Sequence, residues 1–530
     1  MTDNKSFDVA VIGGGPNGLV CGTYLAKCGL KVVILEARHE TGGGLDTFEY
    51  AGFRYNPHAI YHMMGEYMPP YSDLNLKENG VKYIYPDVQC SYISKNHKPL
   101  IFYRDPEKTA QYISVNFSKT DGDAYRKMYA DFSEFSEKIL MPLTYVPPVP
   151  FIEQAMILNN AADDAGKRYN EIAELTPINI LSTYRFSDPV KAGILNLFTM
   201  WGMPAFELGF LFPLYVYKMT NASIVAGGSH RLSSAIYRAF LQAGGTVMDR
   251  AEVVKVITEG GRPVGVLTRD GVVVRAKIIA STCDPHQNFL EFFDKSELPA
   301  QVVDSAKKWQ WEKETFFGAH FALRKAPVYD ENMDANNALI TFLGIDNTDE
   351  LIHHIEDVQS GIVPDVPMGH VTCASIFDPI QAYGDFHTGR WESLAPFDAD
   401  WEKITPDYTK LCVNEWKKYA PNFDPINIIP YPPTYIEMKN KSMKKGSFKH
   451  GAYVPLQMGY LRPNDLCSQG FTPIEGFYVC GASTYPGGMI LGAGGYLGAN
   501  LIADDLGVKK TWKEPEFVTV AKERGFIVDR

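Results

Sequence analysis

A strand-like apolar run that passes directly into Val11-Ile12-Gly13-Gly14-Gly15-Pro16-Asn17-Gly18 restricts the start of this chain to very few folds. Phe7 to Ile12 reads as a short buried strand, Asn17 to Cys28 as a helix, and Lys31 to Leu35 as a second strand ending at Glu36. Strand, glycine turn, helix and strand in that order make a βαβ unit of a parallel sheet. Gly13, Gly15 and Gly18 satisfy GxGxxG. Gly13 permits the tight turn, Gly15 lets backbone approach a pyrophosphate, and Gly18 lets helix and sheet pack closely. The phosphates then rest on the helix N-terminus, which Pro16 and Asn17 open. Without its flanking strands the motif is weak, since any glycine-rich turn before a helix can match it. Glu36, eighteen residues after Gly18, supplies the missing context. Its carboxylate can accept hydrogen bonds from ribose hydroxyls and disfavours a 2′-phosphate.

That motif alone does not separate FAD from NAD. Glu36-Ala37-Arg38 is followed by Thr41-Gly42-Gly43-Gly44, a second glycine-rich loop that can pass close to another part of the cofactor, so FAD is expected. A nicotinamide site would need a further strand-linked GxGxxG, and the sequence has none. The eight cysteines include no CxxC pair, which argues against a disulphide reductase and against a zinc site.

At 530 residues the chain exceeds what one hydrophobic core supports, so two connected domains are expected. The net charge of -11 argues against nucleic acid as the principal partner, because phosphate neutralisation needs an excess of Lys and Arg. Six residues precede the first strand, which leaves no room for a leader, and the cysteine usage reads as reduced, so a cytoplasmic location is expected. The apolar run Ala192 to Tyr217 carries Glu207, Pro204, Pro213 and three glycines, making it a poor spanning helix. It reads as a buried or surface-seeking element, and Phe198, Trp201, Phe206, Phe210 and Phe212 within it are candidates for a core or for a pocket wall.

Further along, Arg231 to Gln242 reads as a helix and Val253 to Thr258, Val264 to Thr268 and Val272 to Ala280 as strands joined at Gly260-Gly261 and Asp270-Gly271. Near the end Gly476 to Cys480 reads as a strand and Gly494 to Leu506 as a helix. The resulting expectation is an α/β protein. A discontinuous Rossmann-type FAD-binding domain comprises residues 1–65, 220–306 and 466–510; an inserted α+β substrate domain comprises 66–219 and 307–465; and 511–530 form a C-terminal extension.

Asp8 to Asn56, including Gly52-Phe53-Arg54-Tyr55, resembles the start of phytoene desaturases and carotenoid isomerases, within the amine-oxidase-like flavoprotein superfamily. Gly227-Gly228, Ala251-Glu252-Val253 and Ser281-Thr282-Cys283-Asp284-Pro285 resemble that family's second flavin segment, which implies contact between the Val253 backbone and the adenine end. The run from Gly476 to Gly488 resembles its last flavin segment. The resemblance implies that Gly481, Ala482, Gly488, Met489 and Ile490 close over the ribityl and isoalloxazine, and that the following helix directs its N-terminus at the flavin. Gly446-Ser447-Phe448-Lys449-His450-Gly451, Gln457 and Leu461-Arg462-Pro463 resemble the phytoene-dehydrogenase-related subgroup that includes pyridine nucleotide-disulphide oxidoreductase domain-containing protein 2. The chain departs from the desaturase pattern at Gly44, at Asn56-Pro57-His58 and at Tyr485.

The cofactor contacts expected are therefore Gly13, Gly15, Pro16, Asn17, Gly18, Glu36, Ala37, Arg38, Gly42, Gly43, Gly44, Val253, Gly481, Ala482, Gly488, Met489 and Ile490. With FAD carrying the redox chemistry, the protein must supply position, shape and an acid or base. His58, Tyr485 and His450 are the catalytic candidates, with His62 behind them, and a hydrogen-bonded packing role stands open for each. The expected activity is desaturation, saturation or isomerisation at a carbon-carbon bond of an apolar, isoprenoid or aromatic substrate. A flavin amine or alcohol oxidase, and a flavin-binding scaffold without turnover, are the alternatives. The electron acceptor stays open among oxygen, a quinone and another carrier, as do peripheral membrane contact and homo-oligomerisation.

Overall fold

The computed structural model describes residues 6–329, 333–489 and 491–529. Strand β1 (Ser6–Ile12), helix α1 (Pro16–Lys27) and strand β2 (Val32–Leu35) form the expected first unit. β1 pairs in parallel with both β2 and the Val273–Ser281 strand, so it lies inside the sheet. Covered on both faces, it reads as a continuous apolar run, and Val9, Ala10, Val11 and Ile12 are all buried. Thr246–Met248 extends the sheet in parallel beyond β2, and Phe477–Val479 pairs in parallel with Val273–Ser281. The antiparallel strands Arg262–Thr268 and Val253–Glu259 complete seven. Residues far apart in sequence thus build one sheet, and its parallel strands end together at one rim.

A second seven-stranded sheet runs in the order Pro425–Tyr431, Glu314–Leu323, His387–Pro396, Gly369–Thr372, Ala338–Leu343, Val88–Ile93, Pro99–Tyr103. Its long central pair is antiparallel, from Glu314 opposite Pro396 to Leu323 opposite His387. Along His387–Pro396 side chains alternate between faces. Trp391 enters a core with Phe321 and Trp416, so Arg390 and Glu392 point the other way, towards the first sheet.

The apolar run after Ala192 is resolved into parts. Phe198 and Phe212 are fully buried, with rings 5.3 Å apart in an edge contact, while Phe206 is exposed and Trp201 faces a cavity. Among the described residues no helix is long and apolar enough to cross a membrane. The segment after Gly507 is less of a loose tail than its charge suggests: Trp512 packs edge-on against Tyr24 at 4.6 Å, and Val518 and Phe526 are fully buried.

Candidate active site

A cavity of about 730 Å³ begins at the rim where β1 and β2 end. It runs past Gly13, Gly15, Glu36, Ala251 and Val253 to Gly43, Gly44, Gly488 and Met489, and finishes among Trp201, Phe316, Arg390 and Phe448. One continuous space therefore joins the dinucleotide motif to an apolar chamber walled by the second sheet.

The glycine loop is built around two backbone approaches. A Cβ on Gly18 would lie 1.9 Å from the Gly13 carbonyl oxygen, so this position is closed to any side chain by the protein itself. Gly15 differs: at φ -70° its backbone suits any residue, and the nearest atom to an added Cβ is the Gly43 Cα at 3.9 Å. Its bare face opens on the cavity, which is the cradle a pyrophosphate needs. Glu36 is held by two backbone donors, Gly14 N–H at 2.8 Å and Arg38 N–H at 2.8 Å, leaving further lone pairs on each oxygen for ribose hydroxyls. Gly42 N–H donates to the Gly14 carbonyl at 2.8 Å, and the Arg38 guanidinium donates to the Gly43 carbonyl at 3.2 Å, tying the second glycine loop against the first.

At the other end of the loop system, the Ala493–Asp505 helix starts at Gly492 in the left-handed region (φ 71°) and lies beside the start of α1. The Asn17 side-chain oxygen accepts from Gly495 N–H at 3.1 Å, so the two helix N-termini converge on the same cavity.

Of the residues expected at the cofactor, Gly13, Gly15, Pro16, Asn17, Glu36, Ala37, Arg38, Gly43, Gly44, Val253, Ala482, Gly488 and Met489 are brought together on the cavity wall. Gly18, Gly42 and Gly481 stand behind it and shape it; a Cβ on Gly481 would meet the Thr282 carbonyl oxygen at 2.1 Å. Ile490 lies outside the described residues. The catalytic candidates separate. His58 and His450 line the cavity. Tyr485 is not brought there: its hydroxyl donates to the Leu143 carbonyl at 2.7 Å and its ring lines a different cavity. His62 borders the space but is engaged, with Nε2 3.1 Å from the Ser229 hydroxyl.

His58 Nε2 and His450 Nδ1 are buried without a protein partner, as are Trp201 Nε1 and the Gln287 side-chain oxygen on the same wall. Orphaned polar atoms around a cavity of this size fit a long polar ligand with an aromatic end. Burial pushes both imidazoles down to about 4; the Arg390 charge acts on His58 and the Arg462 charge on His450 in the same direction. Both rings are therefore neutral at physiological pH and either could accept a proton. The rate at which an uncharged substrate reduces the bound flavin should be level between about pH 5.5 and 7, because an ordinary histidine would titrate there and these two do not. Stopped-flow absorbance across that range checks this; a step near pH 6.5 that disappears in His58→Asn would overturn it.

The main residues that sequence reasoning missed are Arg390, Glu392 and His370. Arg390 is 4 % exposed and donates to the backbone carbonyls of Asn56 (2.5 Å), Pro57 (3.0 Å) and His58 (2.7 Å). It also contacts Glu392, whose other oxygen lies 3.0 Å from His370 Nε2. Burial pushes the Glu392 carboxyl up, but the Arg390 guanidinium and His370 outweigh it, and the group stays ionised below the usual carboxylate range. The only sequence signal was the alternation Arg390-Trp391-Glu392, which reads as one ordinary strand until the second sheet is placed. Among the described residues no cluster of ligands could hold a metal ion.

The chain matches the family described as NAD(P)-binding Rossmann-like domain over residues 11–74. A limonene dehydrogenase polypeptide of Castellaniella defragrans is 40% identical over 100% of both chains. Pyridine nucleotide-disulfide oxidoreductase domain-containing protein 2 of Rattus norvegicus is 24% identical over 94% of each. Among solved structures, an oxidoreductase from Methanosarcina mazei superposes with a TM-score of 0.61 at 15% identity, covering 94% of this chain and 100% of that one.

Proposed function

Because this chain belongs to the family of that limonene dehydrogenase polypeptide, a member of the phytoene desaturase and carotenoid isomerase-like flavoproteins, we propose that it is an FAD-dependent oxidoreductase acting on an apolar, isoprenoid-type substrate. The observation that carries this reading is the single cavity joining Gly15 and Glu36 to Trp201 and Phe316. FAD, when bound, supplies a ring able to accept two electrons.

The residues divide the work by chemistry. Gly15 and the N-terminus of α1 take the pyrophosphate, Glu36 the ribose hydroxyls, and Ala251, Val253 and Gln287 the adenine end. Gly44, Ala482, Gly488 and Met489 would hold the ring end, where the N-terminus of the Ala493–Asp505 helix would favour negative charge. The chamber beyond is walled mainly by aromatic and aliphatic side chains: Phe316 and Phe448 stack at 4.6 Å, with Trp201, Ile436 and Met443 beside them and the Arg390–Glu392 pair at one side. These side chains would exclude water and hold an apolar substrate in the chamber. His58 Nε2, neutral and without a partner, takes the proton that leaves carbon. In this reading residues 1–65, 220–306 and 466–510 hold the cofactor, 66–219 and 307–465 the substrate, and the enzyme works in the cytoplasm.

The test is a visible spectrum of the purified protein, followed by anaerobic titration with monocyclic terpenes, longer isoprenoids, amines and aromatic alcohols. Flavin bleaching by isoprenoids alone is the expected result. Bleaching by amines alone would make it an amine oxidase, and no flavin after reconstitution would sink the reading.

A further inference from the structure

A small separate pocket of about 20 Å³ shares Met63, Met489 and Leu491 with the large cavity. Lys218, from the Phe212–Met219 helix, lines this pocket and is only 6 % exposed. Among the described residues nothing accepts a hydrogen bond from its ammonium or pairs with its charge, and burial alone acts on its acidity. No carboxylate lines the pocket, and Glu137, which acts on the neighbouring Tyr67, is engaged by the Tyr217 hydroxyl. Burial pushes the ammonium down to about 8, so Lys218 still carries its charge at neutral pH. A buried charge without a counterion is strongly unfavourable, and nothing in the proposed reaction uses this one.

The rest of the lining says what the space can take. Tyr67 and Tyr145 stand on the same wall, and neither phenol has a hydrogen-bond partner among the described residues, so each keeps an O–H to donate. The Thr144 hydroxyl is already committed, donating to the Leu140 carbonyl at 2.8 Å. Met63, Met64, Met68 and Met141 supply much of the remaining surface, with soft, polarisable thioethers. The side chains therefore offer one full positive charge and two spare donors, and no negative charge. A water molecule would leave the ammonium unbalanced, whereas an anion balances it and uses the donors as well. The volume admits one or two water-sized particles, which excludes phosphate, sulfate and any organic acid.

We propose that this pocket binds a single chloride ion, held by the Lys218 ammonium and the Tyr67 and Tyr145 hydroxyls against the methionine wall. The pocket exists only in the folded chain, so an ion bound there stabilises the fold in proportion to its concentration over Kd. The assignment uses no flavin chemistry and stands or falls independently of the FAD reading.

The test follows the melting temperature of the purified holoenzyme as sodium chloride replaces sodium gluconate at constant ionic strength. Linkage lowers the unfolding constant about a hundredfold at a chloride concentration about one hundred times Kd, which for a chain of this size raises Tm by roughly 2 °C. Lys218→Met removes the charge and leaves an unbranched apolar chain among other methionines, so this variant should fold and show no chloride response. Sulfate in place of gluconate should shift both proteins equally, because it acts on the whole surface and does not fit the pocket. Wild-type crystals grown in sodium bromide should show anomalous density in contact with Lys218 Nζ, a measurement that decides the matter even if the variant fails to fold. Equal chloride responses in the two proteins, a sulfate gain confined to the wild type, or a wild-type pocket without bromide would each overturn the proposal.

Discussion

Gly15→Val is expected to yield a folded protein that carries no flavin. The effect is large because the two glycines of the motif do different things. At Gly15 the protein tolerates a side chain, with 3.9 Å to the nearest atom and an ordinary φ, so the βαβ unit still forms. The valine methyls instead enter the cavity where the pyrophosphate must approach the backbone, and a contact below van der Waals distance cannot be relieved on a loop pinned by Gly42 and Gly14. Circular dichroism of the variant should match that of flavin-free wild type, and its affinity for added FAD, followed by the absorbance near 450 nm, should fall by at least roughly two orders of magnitude, the consequence of losing about 3 kcal/mol or more of binding. Gly18→Val is the contrast. Its Cβ would overlap the Gly13 carbonyl, so that variant should lose the turn and unfold early rather than fold empty. A Gly15→Val protein with full flavin would remove the basis for placing the cofactor.

The second large effect concerns the buried pair on the second sheet. Arg390→Met should cost about 3–5 kcal/mol of stability, because it leaves Glu392 ionised, buried and without its guanidinium. It also frees the carbonyls of Asn56, Pro57 and His58, the backbone that sets His58 on the cavity wall. The double variant Arg390→Met with Glu392→Leu removes both charges, and replacing a buried pair by apolar groups is often close to neutral. Denaturant unfolding should therefore show most of the stability returning in the double variant, while flavin reduction by substrate stays impaired because His58 is still unheld. Equal stability losses in the single and double variants would show that the pair is not what the loop depends on.

These two sites also mark the boundary of what the sequence could tell. The dinucleotide end was legible because its determinants are local. Gly13 to Gly18, the flanking apolar strands and Glu36 fall within about thirty residues, and backbone sterics with strand and helix periodicity dictate their arrangement whatever the rest of the chain does. The closing loop was legible only by resemblance, since the run from Gly476 to Gly488 is similar to the last flavin segment of the desaturase family.

The chamber was decided by tertiary structure alone. Arg390 and Glu392 acquire meaning only when Glu314–Leu323 pairs with His387–Pro396 and turns that face towards the first sheet. Tyr485 precedes the glycines of the closing loop, yet the loop's path sends its ring through the wall into a different cavity, where Leu143 takes its hydroxyl. Phe198, Trp201 and Phe212 are alike in composition and close in sequence, but only Trp201 of the three reaches the cavity. A hydrophobic pattern records that a residue must leave water. Which apolar surroundings it enters depends on partners hundreds of residues away, and that information exists only once the two sheets have come together.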